Sequence, residues 1–550
     1  MKRVKRRPGV VKYFGVLAGL AMAFSVLPAV ASAPAVAVRL APLAQWQQDV
    51  KFLAEMLEGK DGVDKLQALA GVLEALGKNG FDANRPIGVV CQVGKQGQPV
   101  LVGCVPFSNL DQLHALAKSW ISEPTQISDN VYQVKIEDRD VYVRLQNDWI
   151  LVSHNSEALE STPEDPGAWF AGLSESAELC VSIDPQELRQ LEKGTIKNWL
   201  KEHDALPKSV ARIVQSQELR QAIIQPLWET FNEAMSQTEK VTLNYQIDRT
   251  GKKLLGSCTW SAQAGSDLAS HFAQQRFLTS PLVAVRRWND AALTMGWCVT
   301  FPSPSEEDLR NLGELIQTRW HNQIERRVSN QMDADLLKSL ADDLLRLAGD
   351  WVRQGKTEGV VALVNRPDQV TLLMGGYVAD SSGLETWVGN LIESARQRVP
   401  EAFERVTIIP DYSVHGDASI HVMRIAMKDK FSPEQAAVLG EDIEIAFTAV
   451  NGYAAVAIGK NAVGTIKRAI DDALSFGDQT APAFEFSVKL DDFVAALAKV
   501  NPQDSHLQQL KTNLEQCEGV QFLRKKVEFT NQQMVVTFEA DLNLLRLPKN

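Results

Sequence analysis

The sequence predicts an α+β fold: antiparallel sheets covered by helices, in two related halves produced by an internal duplication. Three observations predict it. A hairpin followed by a helix recurs along the chain, a second run of hairpins recurs once in each half, and a strand turning into a helix appears three times. The clearest copy of the first unit is residues 100–116, an apolar strand that passes through a turn into an amphipathic helix. Residues 254–262 with 265–272 form a second copy, and residues 372–388 a third. Each follows a short strand and a polar turn, at 94–99, 248–252 and 365–369. A fourth hairpin, 526–538, ends the pattern.

Taken in order, the chain opens on a basic stretch with Lys2, Arg3, Lys5, Arg6, Arg7 and Lys12. Residues 13–38 carry no charge and include an apolar run, then Pro28 and small residues. That is the order of a secretory signal peptide, so residues 1–31 are expected to be removed after Ala31, with Ala29 and Ala31 as the small residues. Cleavage after Ala33 would leave Pro34 first, and Ala35 and Ala37 offer a later point. The alternative is an uncleaved helix that anchors the chain, since the uncharged run is long enough to span a bilayer; Pro28 and Pro34 count against it. With no Cys at the leader's end, a lipoprotein anchor is excluded.

Residues 32–84 read as an N-terminal helical segment: Trp46, Val50, Leu53, Leu57 and then Leu66, Leu69, Leu73, Leu76 recur at helical spacing, with a break at 59–62. The first half is residues 85–283 and the second 284–550, with Ser280 and Pro281 near the join. In the first half, strands 131–136 and 141–145 lead through the Asn147-Asp148 turn to strand 149–153 and a helix. In the second, strands 419–426 and 443–450 lead through Asn451-Gly452 to strand 453–458 and helix 462–474, with an insertion at 432–439. The strand-to-helix element occurs at 177–188, 295–309 and 483–493. Long helical stretches are expected over 186–238, 305–353 and 491–516.

The formal charge is −11, and loss of the six basic leader residues leaves −17. An acidic body lacks the basic footprint that nucleic-acid binding requires. It also lacks the charge to dock on anionic lipid, so membrane attachment would come only through an uncleaved leader. Six cysteines, at 91, 104, 180, 258, 298 and 517, would suit disulfides in an exported protein. The repeats argue for buried thiols instead, because Gly375 stands at the place of Cys104 and Cys258, and Ser487 at that of Cys180 and Cys298. A Cys91–Cys104 bridge across the first hairpin requires an even-numbered loop.

No residue is assigned a catalytic, cofactor-binding or metal-binding role. Residues 459–465 have the glycine spacing of a phosphate-binding loop, but Thr465 stands where the lysine belongs, so a capped strand-to-helix turn is expected. His415, Asp417, Ser419 and His421 would share one strand face only if extended, and His-Gly-Asp reads as a turn, leaving His421 outward-facing. The other histidines are scattered, and the paired carboxylates 342–343, 471–472 and 491–492 read as solvated charges. Twelve tryptophans anchor cores, with a ligand groove between sheet and helices as the sharper alternative.

The copies around Leu101, Leu254 and Leu372, with strands 149–153 and 453–457, resemble exported bacterial proteins of a domain of unknown function, built from tandem α+β units behind a signal peptide. The resemblance spans most of residues 85–545. It implies no catalytic residues and no cofactor. Together these readings predict a non-enzymatic exported structural or interaction protein of the periplasm or cell envelope, with a protein or an apolar small molecule as partner. A carrier for a lipid or other apolar ligand is the alternative, and a hydrolase with a site between the halves is a third. The scaffold predicts a filled core, and the carrier predicts an apolar cavity between a sheet and its helices.

Overall fold

A computed structural model of the chain describes residues 34–57, 63–94, 98–117, 124–136, 139–189, 230–301, 306–327, 331–398, 404–427, 430–477, 479–517 and 522–546. The signal-peptide expectation, helix 186–238 beyond Arg189 up to residue 229, and the break at 59–62 lie outside these residues. Contacts divide the chain into two units, with the division at Ala269/Ser270. It precedes the 283/284 boundary read from the sequence, because the helix Val283–Arg286 packs onto the second unit's sheet through Val285.

The first unit begins with strand β1 (Val36–Leu40), followed by helices α1 (Leu43–Met56) and α2 (Val63–Lys78). The hairpin β2 (Ile87–Val93) and β3 (Pro99–Pro106) leads to α3 (Leu110–Ala117). Four strands follow: β4 (Thr125–Ser128), β5 (Val131–Ile136), β6 (Arg139–Gln146) and β7 (Trp149–Ser153). Then come α4 (Ser156–Glu160), β8 (Leu179–Ile183), α5 (Pro185–Arg189) and the hairpin β9 (Thr238–Asp248) and β10 (Lys253–Ala262). Helix α6 (Asp267–Gln275) crosses the division. The sheet order is β4-β5-β6-β7-β3-β2-β1-β8-β9-β10, antiparallel throughout.

Strand β1 corrects the purely helical reading of residues 32–84. It sits in the middle of the sheet, between β2 and β8. Its Arg39 is 5% exposed and donates to the carbonyls of Ser174, Glu175 and Ala177, which ties the loop before β8 to the strand. A buried guanidinium requires such acceptors. Ala37, Val90, Val102, Cys104, Leu151, Leu159 and Cys180 form the core on one face. The Cys91–Cys104 bridge, left open by the sequence, is not formed. Register pairs Cys104 with Gly88 and Cys91 with Leu101, so the odd-numbered loop 94–98 sends the two thiols to opposite faces. No disulfide joins any of the six cysteines, and burial pushes Cys91 up to about 12 and Cys298 up to about 11.

The second unit contains β11 (Thr279–Ser280), α7 (Val283–Arg286) and β12 (Ala291–Thr300), then α8 (Glu306–Arg327) and α9 (Gln331–Arg353). The hairpin β13 (Lys356–Arg366) and β14 (Gln369–Tyr377) precedes α10 (Ser381–Arg398). Strands β15 (Val406–His415), β16 (Ala418–Ala426), β17 (Asp442–Val450) and β18 (Tyr453–Gly459) follow, with α11 (Pro433–Leu439) between β16 and β17. Next come α12 (Ala462–Phe476), β19 (Gln479–Thr480), β20 (Phe484–Lys489), α13 (Leu490–Val500) and α14 (Ser505–Glu515). The hairpin β21 (Phe522–Phe529) and β22 (Gln533–Asp541) completes the sheet. Its order is β15-β16-β17-β18-β14-β13-β12-β20-β21-β22, again antiparallel.

These orders revise two equivalences drawn from the sequence. The Leu254 hairpin, β9–β10, follows β8 in its order as β21–β22 follows β20, and does not hold the place of β2–β3. Strand β12 lies centrally, between β13 and β20, as β1 lies between β2 and β8; it does not hold the place of β8.

Candidate functional site

Alternation along each strand gives the second unit's sheet two unlike faces. One face is the filled core. Val360, Ala362, Val364, Leu373, Ile420, Val422, Ala446 and Ala457 are 0–2% exposed under α7 and α12, where Val285 and Ile466 close over them. The opposite face contains no acidic residue on the described strands β12–β14, β16–β18 and β20–β22. It is nevertheless the less buried of the two.

A single row of side chains shows this. Register aligns Phe486, Met295, Val361, Met374, Val456 and Phe447 across β20, β12, β13, β14, β18 and β17. All are half-buried except Met374, which is 38% exposed. At the usual strand spacing the row is roughly 24 Å long. Helices bound it on both sides. On one, α11 and α13 pack onto the sheet through Val438, Ala496 and Val500 against Leu363 and Val370. On the other, α10 lies over β16–β17, where Glu385 meets His421, and Trp387 Nε1 donates to the Leu340 carbonyl of α9 at 3.0 Å. The result is an apolar trough floored by one strand-crossing row.

The next row toward α10 is filled at β12–β13. Gly359 has no side chain because the Trp297 indole lies over it; a Cβ there would come within 2.2 Å of the ring. Trp297 Nε1 reaches Thr357 Oγ1 at 3.1 Å, which fixes the ring in that position. At the β16 end His421 stacks on Phe447 at 6.1 Å. Its ring is held by Glu385 Oε1 at 2.7 Å and by the Asp411 amide, which donates to Nδ1 at 3.2 Å. His421 therefore faces α10, contrary to the outward orientation read from the sequence.

No family model matches this sequence, and no curated protein matches it. Two solved structures are similar in part. Crystal form III of TP0453 aligns at 9% identity over 44% of this chain and 80% of its own, with a TM-score of 0.22. Crystal form IV aligns at 11% identity over 44% and 83%, with the same score.

The decoy motifs resolve into structure. Gly459 and Asn461 both take positive φ, and α12 begins directly after them. The amide of Val463, in the first turn, donates to Glu444 Oε1 at 3.3 Å, so a carboxylate of the protein already occupies the helix start. Asn461 makes no side-chain cap, which corrects the expected polar cap. His415 and His421 diverge across the β15–β16 turn: His415 meets Asp471 on α12 at 2.7 Å. No cluster of three or more His, Cys, Asp or Glu among the described residues could hold a metal.

One convergent polar group is fully buried. Glu358 on β13 accepts from Ser280, from Tyr453 at 3.3 Å and from Lys356 at 2.8 Å, beside the Cys298 thiol. Burial opposes the Lys356 charge, but the bond and charge of Glu358 outweigh it and hold its pKa above the ordinary value. Ser280 spends its proton on the carboxylate and accepts from the Leu282 amide at 3.1 Å. With the serine proton, the ammonium and the carboxylate committed to each other, the group is a clamp for β11 and not an activated nucleophile. A nearby cavity of about 430 Å³ is lined by Arg276, Arg287, Glu485, Lys526 and Glu528 among others, and is polar.

Proposed function

We propose that this is a non-enzymatic binding protein, exported behind its leader, that shelters an elongated apolar ligand in the second unit's trough. The observation that carries the reading is the inversion of burial: the sheet face that bears the apolar row and no acidic residue is the less buried one. Apolar surface is stabilised by removal from water at roughly 25 cal/mol per Å², so a row left half-open favours an occupant. Of the two non-enzymatic readings of the sequence, a scaffold calls for filled faces and a carrier for an apolar cavity; the trough supports the carrier. Two methionines in the floor suit it, since the unbranched thioether adapts to ligands of varied shape. No described helix is long and apolar enough to cross a membrane. We also read the two units as an internal duplication, supported by strand orders that coincide when each sheet is counted from its own first strand.

The test has two parts. Native mass spectrometry on protein purified from an exporting host, against a denatured control, should reveal an added mass that disappears on denaturation. Titration with a fluorescent long-chain acyl probe should then show saturable binding. Met374→Glu, which places a charge in the floor, should weaken that binding by about tenfold or more while leaving the far-UV circular dichroism unchanged. A bare mass together with no probe binding, or binding indifferent to Met374→Glu, would overturn the proposal.

A further inference from the structure

The floor row extends beyond Phe486. Register carries it to Lys525 on β21 and Phe538 on β22. On this face of β20–β22, Lys525 stands among Phe484, Phe486, Leu523, Val527, Val536 and Phe538, and it is the sole charged side chain there among the described residues. Its neighbours Arg524 and Lys526 point to the other face and pair with Glu539 at 3.6 Å and Glu528 at 2.7 Å. Lys525 is exposed, forms no ion pair with a described carboxylate, and holds its ammonium 5.9 Å from the Phe484 ring centroid. A strand that alternates Leu523, Lys525, Val527 and Phe529 has put a cation in the apolar phase, where no described carboxylate neutralises it.

The other end of the row has the opposite character. His421 is already held by Glu385 at 2.7 Å, with Asp411 Oδ1 3.9 Å from its other ring nitrogen. An anion would meet two carboxylates there. The trough therefore has a polarity, with positive charge at the β21 end and negative charge beyond the β17 end. Its width also constrains the occupant. Trp297 over Gly359 narrows it on one side, and α11 and α13 against Leu363 and Val370 narrow it on the other. That suits a chain a methylene wide and not a peptide helix of roughly 10 Å diameter.

Resting on the trough reading, we infer that the ligand is a long-chain anionic amphiphile, with its negative head at Lys525 and its tail along the row from Phe486 toward Phe447. A charge-assisted contact at the rim fixes direction, while the apolar row supplies the affinity.

Three probes separate the components: hexadecanoate, hexadecanol and a single-chain phosphatidic acid, each measured by displacement of the fluorescent acyl probe. Wild-type protein should bind hexadecanoate at least about fivefold more tightly than hexadecanol. Lys525→Ala should abolish that preference and leave hexadecanol affinity unchanged, and Lys525→Arg should restore it. Tighter binding of the phosphate, also dependent on Lys525, would assign the head to a lipid phosphate; tighter binding of hexadecanoate would assign it to a free carboxylate. Either supports the inference. Equal binding of hexadecanoate and hexadecanol by wild type would overturn the charge assignment and leave the trough standing. Failure of all three to bind would overturn both.

Discussion

Asp49 carries the clearest consequence at the scale of single residues. It lies on α1, 1% exposed, with Arg249 Nε 3.5 Å from its Oδ1. Beside it Glu178 accepts from Gln45 at 3.0 Å and from the Ile247 amide at 2.7 Å. Burial, and then the Glu178 charge, raise the Asp49 pKa to about 6 against the pull of Arg249. The sign follows from linkage. The folded value lies above the unfolded one, so the folded state binds the extra proton, and stability falls as pH rises from about 4 through 6. Asp49→Asn cannot ionise. It should match wild type near pH 4.5 and exceed it by about 1–2 kcal/mol at pH 7.5, solvent screening allowed for, in urea unfolding at the two pH values. No gain at pH 7.5 would show that Asp49 is not held protonated. The sequence carries no local sign of this pair, because its members lie far apart along the chain. It also placed Asp491 and Asp492 in solvent, whereas burial and then the Asp491 charge raise the pKa of Asp492. Which carboxylates are desolvated is decided by tertiary packing, and local pattern is blind to it.

Among the elements, the strands that alternate were legible and those whose identity rests on partners were not. Strands 131–136, 443–450 and 453–458 fall where period-two patterning and the Asn-Gly turn put them. Strand β1 was missed because its first three residues continue the uncharged stretch 13–38 and only two residues, Arg39 and Leu40, follow in the strand, too short a pattern to stand out. The trough was half legible. Alternation reveals an apolar phase on each strand, but its partial exposure depends on where α10 and α13 settle. Lys525, standing in the apolar phase of its strand, is the one local signal that the face is not an ordinary core. The glycine spacing after β18 also finds its explanation here. Gly459 has φ +121°, and a Cβ at that position would sit 2.3 Å from the Val370 carbonyl oxygen. Gly459→Ala should cost about 3 kcal/mol in chemical denaturation, through both the φ and the clash. Gly464, whose Cβ would meet Asn461 Oδ1 at 2.3 Å, belongs to the same packed turn. A pair of glycines that imitates a phosphate loop is thus a response to crowding, and an unaffected Gly459→Ala protein would contradict that account.

For the whole chain, the decisive element of the first unit is one of its shorter strands. Strand β1 pairs over its full length with β2 on one side and β8 on the other, from Val36 opposite Cys91 and Ile183 to Leu40 opposite Ile87 and Leu179. Ala35 and Ala37 are buried with it. If it were removed, β2 and β8 would each gain an unpaired edge, and buried amides without partners are costly. Processing after Ala37 would therefore cut through a central strand, whereas processing after Ala31 leaves it whole. A protein beginning at residue 41 should lose amide hydrogen-exchange protection across β2 and β8 by about a hundredfold or more, relative to one beginning at residue 32. Protection in β13 and β14 should be retained, since their partners β12 and β18 are untouched. Persistence of protection in β2 and β8 would mean that the sheet closes without its central strand. Loss of protection in β13 and β14 as well would mean that the first unit's sheet is required for the second unit's stability.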